Sequence, residues 1–193
     1  MSKLLNSEYG RLALETWENE GALKQYAKMF EQFSSNPQTI ERVSIKFGVG
    51  KGGIVEKLMR NFDELEELNI EGFATWRKNI VSGASEGLFY ESDIAVIIKN
   101  KGHTLEKLGL KIPGTEIDNI FSAGNKRIAA EIKSGNPSKF IQAGHLDQLR
   151  KYLDYATNNN IDEDWLISKS QVPLEVKEQF ENIGVIVKWA GEL

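Results

Sequence analysis

The sequence predicts an α/β fold, with a mixed β-sheet flanked by helices and a helical region before it. After residue 86, segments with helix and strand character follow one another in the order α-β-β-β-α-β-α-β. Before residue 86, apolar side chains recur at helical spacing, as at Leu12, Leu14 and Trp17. We therefore expect two parts, a helical region over residues 1–85 and an α/β domain over residues 86–193.

The composition narrows the class of protein. With 193 residues, 40% of them hydrophobic and 27% charged, the chain is typical of a soluble globular protein that buries a core. It has no cysteine, which excludes disulfides and Cys-based zinc sites. It lacks both a long apolar run and the apolar stretch of a signal peptide, so we expect no membrane span and a cytoplasmic location.

The net charge of −4 is unevenly distributed along the chain. Residues 99–151 contain ten basic and five acidic side chains, a net charge of +5, whereas the remainder carries −9. Local positive charge attracts phosphates whatever the charge of the whole protein. Nucleic acid is therefore a candidate partner, with DNA favoured over RNA.

The N-terminal region contains one recognisable motif, GVGKGG at residues 48–53. It matches the dinucleotide-binding pattern G-x-G-x-x-G, but no strand precedes it, and we reject that interpretation. Two interpretations stay open: a plain corner between helices, and a helix–turn–helix corner in which Lys51, Lys57 and Arg60 approach DNA.

Apolar patterning and turn residues place the elements after residue 86. In order, we expect a helix over 87–101, strands over 104–112, 115–121 and 126–133, a helix over 142–157, a strand over 165–168, a helix over 173–182 and a strand over 185–189. Residues 115–133 form a hairpin whose two-residue loop is Gly124-Asn125.

This hairpin carries charges where strands usually carry apolar side chains. With Gly124 and Asn125 as the loop, Asp118 lies opposite Glu131, and alternation puts Lys133 on the same face as Glu131. Opposed carboxylates repel each other but suit a divalent cation such as Mg²⁺. A shift of one residue in register would move Asp118 to the other face. The alternative is an ordinary exposed hairpin, which the apolar character of residues 128–133 argues against.

Asp118 followed by E-I-K at residues 131–133, with Gln148 and Tyr152 at Q-x-x-x-Y spacing, resembles the PD-(D/E)XK nuclease superfamily, in its RecB-like or restriction-fold toxin branch. The proline that usually precedes the first Asp is absent, and Ile117 stands there. The resemblance covers about residues 86–189. It implies a restriction-endonuclease-like fold and a Mg²⁺-dependent or Mn²⁺-dependent nuclease that hydrolyses phosphodiester bonds.

The resemblance also implies a role for each residue. Asp118 and Glu131 hold the metal together with the backbone carbonyl of Ile132, and Lys133 orients or deprotonates the attacking water. The helix before the sheet contributes a further carboxylate, for which Glu91 is the first candidate, and Glu86 is the second.

Other residues surround this predicted site. Gln148 and Tyr152 share one helix face and approach the site in the resembled proteins, or else they only pack that helix. The alternative interpretation of Glu91 is a solvated carboxylate on the surface of its helix. We interpret His103 and His145 as surface or helix residues. The candidates for contacts with the nucleic-acid backbone are Lys126, Arg127, Lys139, Arg150 and Lys151.

The sequence leaves three functions open. The first is a metal-dependent nuclease of a virus, a mobile element or a repair pathway, acting alone or as a homodimer. The second is a nuclease toxin (a DNase or tRNase) secreted into a target cell and neutralised by an immunity protein, with residues 1–85 as an entry or linker domain. The third is a non-catalytic DNA-binding protein with a nuclease-like fold.

Overall fold

The structure, a computed structural model, describes residues 54–83 and 85–193. The helices are α1 (Ile54–Glu66), α2 (Phe73–Gly83), α3 (Glu86–Asn100), α4 (His145–Asn158) and α5 (Leu174–Glu181). The strands are β1 (Thr104–Ile112), β2 (Thr115–Ala123), β3 (Lys126–Lys133), β4 (Glu163–Ser168) and β5 (Val185–Trp189). Within these ranges, each helix is too short or too polar to cross a lipid bilayer.

The five strands form one mixed sheet in the order β1-β2-β3-β4-β5. The β1–β2 and β2–β3 pairs are antiparallel, and the β3–β4 and β4–β5 pairs are parallel. Short turns connect the antiparallel strands, whereas parallel neighbours need a crossover. Helices α4 and α5 supply the two crossovers, so the predicted order of elements after residue 86 is confirmed.

The β2–β3 hairpin has the predicted loop and register. Its ladder runs from Ala123 paired with Lys126 to Asn119 paired with Ala130, with Gly124 and Asn125 between the strands. The next two residues in this register are Asp118 and Glu131. They therefore lie where the paired part of the hairpin ends, five pairs away from its loop.

Helices cover both faces of the sheet. One core joins α1, α2 and α3 to the sheet, with fully buried residues such as Phe62, Ile94 and Phe121. The other core joins α4 and α5 to the opposite face through side chains such as Leu149 and Phe180. The boundary predicted between residues 85 and 86 stays a prediction, but side chains from both sides of it share the first core.

The segment between α1 and α2 is hydrogen-bonded to the edge of the sheet. The backbone N–H of Glu71 donates to the Glu106 carbonyl at 3.1 Å, and that of Leu108 donates to the Glu71 carbonyl at 2.9 Å. The approach is so close that a Cβ on Gly72, whose φ is +84°, would lie 2.3 Å from the Leu108 carbonyl oxygen. Glycine is therefore required here, and it lets α2 lie against β1.

The predicted GVGKGG corner lies outside the described residues, as do Lys51 and the rest of residues 1–53. The helix that follows the corner is α1. Its Lys57 forms an ion pair with Asp93 of α3 at 2.7 Å, and its Arg60 is exposed.

Candidate functional site

Asp118, Glu131 and Lys133 come together at the end of the β2–β3 ladder. Glu131 is completely buried, and Asp118 retains only 9% of its exposure. Asp118 Oδ2 accepts a hydrogen bond of 2.7 Å from the backbone N–H of Ile132, so a side chain joins the strands where their ladder ends. The Lys133 ammonium contacts Glu131 Oε1.

Helix α4 closes the site from one side. The Tyr152 hydroxyl lies against Glu131 Oε2 and against the backbone carbonyl of Glu116. Tyr152 is fully buried, and burial followed by the charge of Asp118 raises the pKa of its hydroxyl well above the usual value. The hydroxyl therefore keeps its single proton, which serves one of these two acceptors at a time.

Helix α3 presents Glu91 from the other side, between neighbours that are held in place. The Tyr90 hydroxyl donates to the Ser168 carbonyl at 3.1 Å, which ties the helix to the end of β4. Asn61 of α1 donates to the side chains of Ser92 and Asp93 at 3.0 and 2.9 Å. The other predicted carboxylate, Glu86, is exposed and pairs with Lys169 at 2.6 Å, so Glu91 is the one directed toward the site.

Two carboxyl groups of the site, those of Glu91 and Asp118, hold their protons unusually tightly. Burial, followed by the negative charge of Asp118, raises the pKa of Glu91 to about 9, against the opposing charge of Lys133. Burial raises the pKa of Asp118 to about 6, although Lys133 and the Ile132 amide act in the opposite direction. Glu116 raises both values further. The site thus has more negative charge than its one ammonium and its amide compensate.

The donor set can be compared with what a metal ion requires. Buried carboxylate oxygens are the ligands that Mg²⁺ prefers, and a cation would offset the burial and the repulsion that raise these pKa values. Among residues 54–83 and 85–193, however, no three Asp, Glu or His side chains converge closely enough to hold a metal. Glu131 instead contacts Lys133 and Tyr152, and Asp118 accepts from Ile132. The oxygen donors therefore suit a hard cation, but both carboxylates are already in contact with other protein groups. We call these contacts the closed arrangement of the site.

Gln148 lies one turn before Tyr152, on the same helix as His145. The Gln148 side chain hydrogen-bonds to His145, whose ring packs edge-on against Phe140 with centroids 5.4 Å apart. Burial and then the charge of Lys133 lower the pKa of His145. His145 was expected to be a surface or helix residue, and it is the first residue of α4. Its half-buried place near Lys133 was not predicted.

The five predicted phosphate contacts are scattered. Lys126 and Arg127 lie at the loop end of the hairpin, and Lys126 is about 16 Å from Glu131 along β3. Lys126 pairs with Glu163, and Arg127 with Glu106. The other three follow β3 in the chain: Lys139 is exposed on the turn after that strand, Arg150 pairs with Asp147 at 2.7 Å, and Lys151 donates to the Gly114 carbonyl at 2.9 Å.

Two residues at the site were absent from the sequence prediction. Glu116 precedes Asp118 by two residues, so strand alternation was a signal that both belong to one face. Trp76 of α2 lies over Gly109 of β1 next to the Glu116 carboxylate, and no motif in the sequence indicates this placement.

Comparison of the sequence with protein-family models and with curated proteins finds no significant match in either. What can be said of the function therefore rests on the geometry of the site.

Proposed function

We propose that this protein is a metal-dependent nuclease of the restriction-endonuclease-like type, acting on phosphodiester bonds in nucleic acid. One observation carries the proposal. An acidic residue of β2 and the Glu and Lys of an E-x-K sequence in β3 meet at the end of a buried hairpin, with a third carboxyl group arriving from α3. Buried charges cost desolvation energy, so a hairpin with only a structural role would be expected to carry apolar side chains at these positions.

The chain's own residues would divide the work as follows. Asp118 and Glu131 would hold Mg²⁺ or Mn²⁺, with Glu91 as a further acidic ligand. Lys133 is held beside Glu131 and 22% of its side chain is exposed, so its ammonium can reach a scissile phosphate and offset its charge. Tyr152 would fix the orientation of the Glu131 carboxylate.

A bound Mg²⁺ supplies Lewis-acid stabilisation of the charge that develops on the phosphoryl oxygens. Metal binding would have to compete with the contact between Lys133 and Glu131, because the ammonium now lies on Glu131 Oε1. Release of the Lys133 ammonium from Glu131 would leave Lys133 free to face the substrate.

The closed arrangement favours one rival function, a non-catalytic nucleic-acid-binding protein in which Lys133 permanently neutralises Glu131. The rival predicts that nucleic acid binds in EDTA and is not cut with any metal. The toxin role, with its immunity protein and secretion into a target cell, and the homodimer stay predictions.

The test is cleavage of supercoiled plasmid, single-stranded DNA, branched DNA and total tRNA, each with Mg²⁺, Mn²⁺ or EDTA. Glu131→Gln and Lys133→Ala are compared with Lys126→Ala, which changes an exposed ammonium at the other end of β3. We expect metal-dependent cutting that both site variants abolish and that Lys126→Ala retains. Cutting that survives in EDTA or in Glu131→Gln would contradict the proposal, and so would the absence of cutting on every substrate.

A further inference from the structure

Two lysines lie at the carboxyl ends of the neighbouring parallel strands β3 and β4. Lys133 is the last residue of β3 and pairs with Ser168, the last residue of β4. Lys169 follows directly, and its backbone N–H donates to the Lys133 carbonyl at 2.9 Å. The backbones of the two lysines are therefore one strand spacing apart, about 4.8 Å. In open α/β sheets, ligands bind outside this end of the parallel strands.

The side chains of the two lysines leave the sheet on opposite faces. The Lys133 ammonium contacts Glu131, which is also in contact with Tyr152 of α4. The Lys169 ammonium instead contacts Glu86, in the first turn of α3, at 2.6 Å. A strand of nucleic acid that crosses this end of the sheet can therefore meet one ammonium on each side of it.

Two contacts fix the first turn of α3 beside these strand ends. A Cβ on Gly87 would lie 3.6 Å from the hydroxyl oxygen of Ser134, which follows β3, so the helix and the chain after the strand are in contact. One turn later, the Tyr90 hydroxyl donates to the carbonyl of the last residue of β4 at 3.1 Å. The Glu86 carboxylate is thus held at the place where Lys169 emerges from the sheet.

The ion pair between Lys169 and Glu86 can be exchanged for another contact, because both partners are exposed. Their side chains retain 48% and 62% of their exposure. An exposed pair of this kind contributes little to stability, since water and salt screen it. A phosphate oxygen is a good acceptor for an ammonium, and its neutralisation releases a counterion from the nucleic acid. Replacement of Glu86 by a phosphate is therefore favourable once nucleic acid lies at this end of the sheet.

We propose that Lys169 binds a backbone phosphate next to the scissile bond of the nucleic-acid substrate, and that Glu86 occupies the Lys169 ammonium until that phosphate arrives. The proposal rests on the proposed function, which places the scissile bond at Lys133. Phosphate contacts position a nucleic acid without reading its sequence, so Lys169 contributes to affinity and not to sequence choice. Glu86 competes with the substrate and weakens its binding.

The contact is tested by binding in EDTA, where the proposed nuclease cuts no bond. The probes are a short fluorescent DNA duplex and short fluorescent single strands of DNA and RNA, and fluorescence anisotropy gives the Kd over a range of NaCl concentrations. We expect Lys169→Ala to raise the Kd about threefold to tenfold. The plot of log K against log[NaCl] should become shallower by about 0.9 for the duplex, or about 0.7 for a single strand, as for one lost phosphate contact.

The competing role of Glu86 predicts the opposite sign. Glu86→Gln should lower the Kd about twofold to fivefold, because the Lys169 ammonium no longer has to leave a partner. In the Lys169→Ala background, Glu86→Gln should have little further effect, because the ammonium that it releases is gone. If Glu86→Gln tightens binding equally in both backgrounds, it acts through net charge alone and the competition is excluded.

The matched controls are Lys99→Ala and Glu64→Gln. These residues form an ion pair of 3.0 Å between α1 and the last turn of α3, with side chains 31% and 42% exposed. Lys99 lies about 20 Å from Glu86 along the helix, so the same charges are changed away from the strand ends. Both controls should bind with the Kd and the salt dependence of the wild type.

Three results would overturn the proposal: wild-type protein that binds none of the probes, Lys169→Ala that binds as the wild type does, or Lys99→Ala that weakens binding as much as Lys169→Ala. Cleavage assays separate this outcome from the fate of the proposed function. If the wild type cuts and Lys169→Ala binds normally, the nuclease stands and the phosphate contact fails. If the wild type cuts nothing but binding depends on Lys169, the nuclease fails and the contact stands.

Discussion

At the loop end of the β2–β3 hairpin, Lys126 and Arg127 each have an acidic partner, whereas at the other end Asp118 and Glu131 share one ammonium. The hydrogen bond and charge of Lys126 lower the pKa of Glu163. Burial raises the pKa of Glu106, but the hydrogen bonds from Ser122 and Arg127 outweigh it, so the pKa lies below its usual value. The pKa values of Asp118 and Glu91 are raised instead.

The same two strands thus carry balanced charge at one end and unbalanced charge at the other. Balanced, partly exposed ion pairs contribute modestly to stability and need no further positive charge. Buried carboxylates with too little positive charge cost stability, and such sites are candidates for function. By this comparison the site end, rather than the loop end, is the candidate place for a cation or a phosphate-bearing substrate to bind.

The largest expected difference between the two ends is in catalysis. Asp118→Asn should lower the rate of nucleic-acid cleavage by about a thousandfold or more, the scale on which a group acting in the transition state contributes. Arg127→Ala at the loop end should change the rate by less than about threefold, because phosphate contacts remote from the bond give affinity rather than chemistry. Single-turnover cleavage rates measure both, and equal losses would remove the distinction between the ends.

The next effect is on stability, and its sign depends on pH. The folded pKa of Asp118, about 6, lies above its ordinary value of 3.8, so the folded state holds this proton more tightly. Its contribution is present below about pH 4 and is lost as the pH rises through 6. Without metal, Asp118→Asn should therefore be more stable than wild type at pH 8 by on the order of 1–3 kcal/mol, and near parity at pH 4. Urea unfolding at both pH values in EDTA checks this, and a loss of stability at pH 8 would contradict it.

Metal should stabilise the fold only through the site end. At ten times its Kd, Mg²⁺ should raise the Tm of the wild type by about 3–5 °C. Glu131→Gln should show no shift, because a ligand has been removed, while Arg127→Ala should shift as the wild type does. Differential scanning calorimetry with Mg²⁺ and with EDTA measures the shifts, and an unchanged response in Glu131→Gln would remove Glu131 from the metal ligands.

The smallest effect, of opposite sign, belongs to the loop end. Because the pKa of Glu106 is lowered in the folded state, its contribution is present above the unfolded carboxyl pKa and is lost as the pH falls. Glu106→Gln should therefore cost up to about 1 kcal/mol at pH 7, and less near pH 3. Urea unfolding would show it, and a gain in stability at pH 7 would mean that the loop end is not balanced.

Much of the fold followed from local patterns. Strands β1, β3 and β5 have the predicted ends, because alternating apolar residues between turn signals define them well. Strand β2 runs two residues further than predicted, to Ala123, since Ser122 and Ala123 pair with Arg127 and Lys126 although small residues are typical of loops. The pairing register of the hairpin could be predicted from the position of its two-residue loop alone.

The site was predictable only where its residues share the hairpin. Asp118, Glu131 and Lys133 are fixed relative to one another by strand alternation and register. Trp76 and Tyr152 lie on α2 and α4, and the place of Trp76 beside Glu116 and the contact of Tyr152 with Glu131 depend on how those helices pack against the sheet. No local pattern encodes such packing, and the resemblance alone suggested that Tyr152 approaches the site.

The backbone pairing of Glu71 with β1 also bears on how the protein could be shortened. An outer strand offers unpaired N–H and C=O groups to any other chain, which makes it a template for aggregation. Residues 70–72 occupy part of that outer edge, while Phe62, Phe73 and Trp76 cover the adjacent face. A fragment that starts at residue 85 would expose both the edge and the face. We expect it to accumulate as insoluble assemblies, so a minimal soluble fragment would have to include α1.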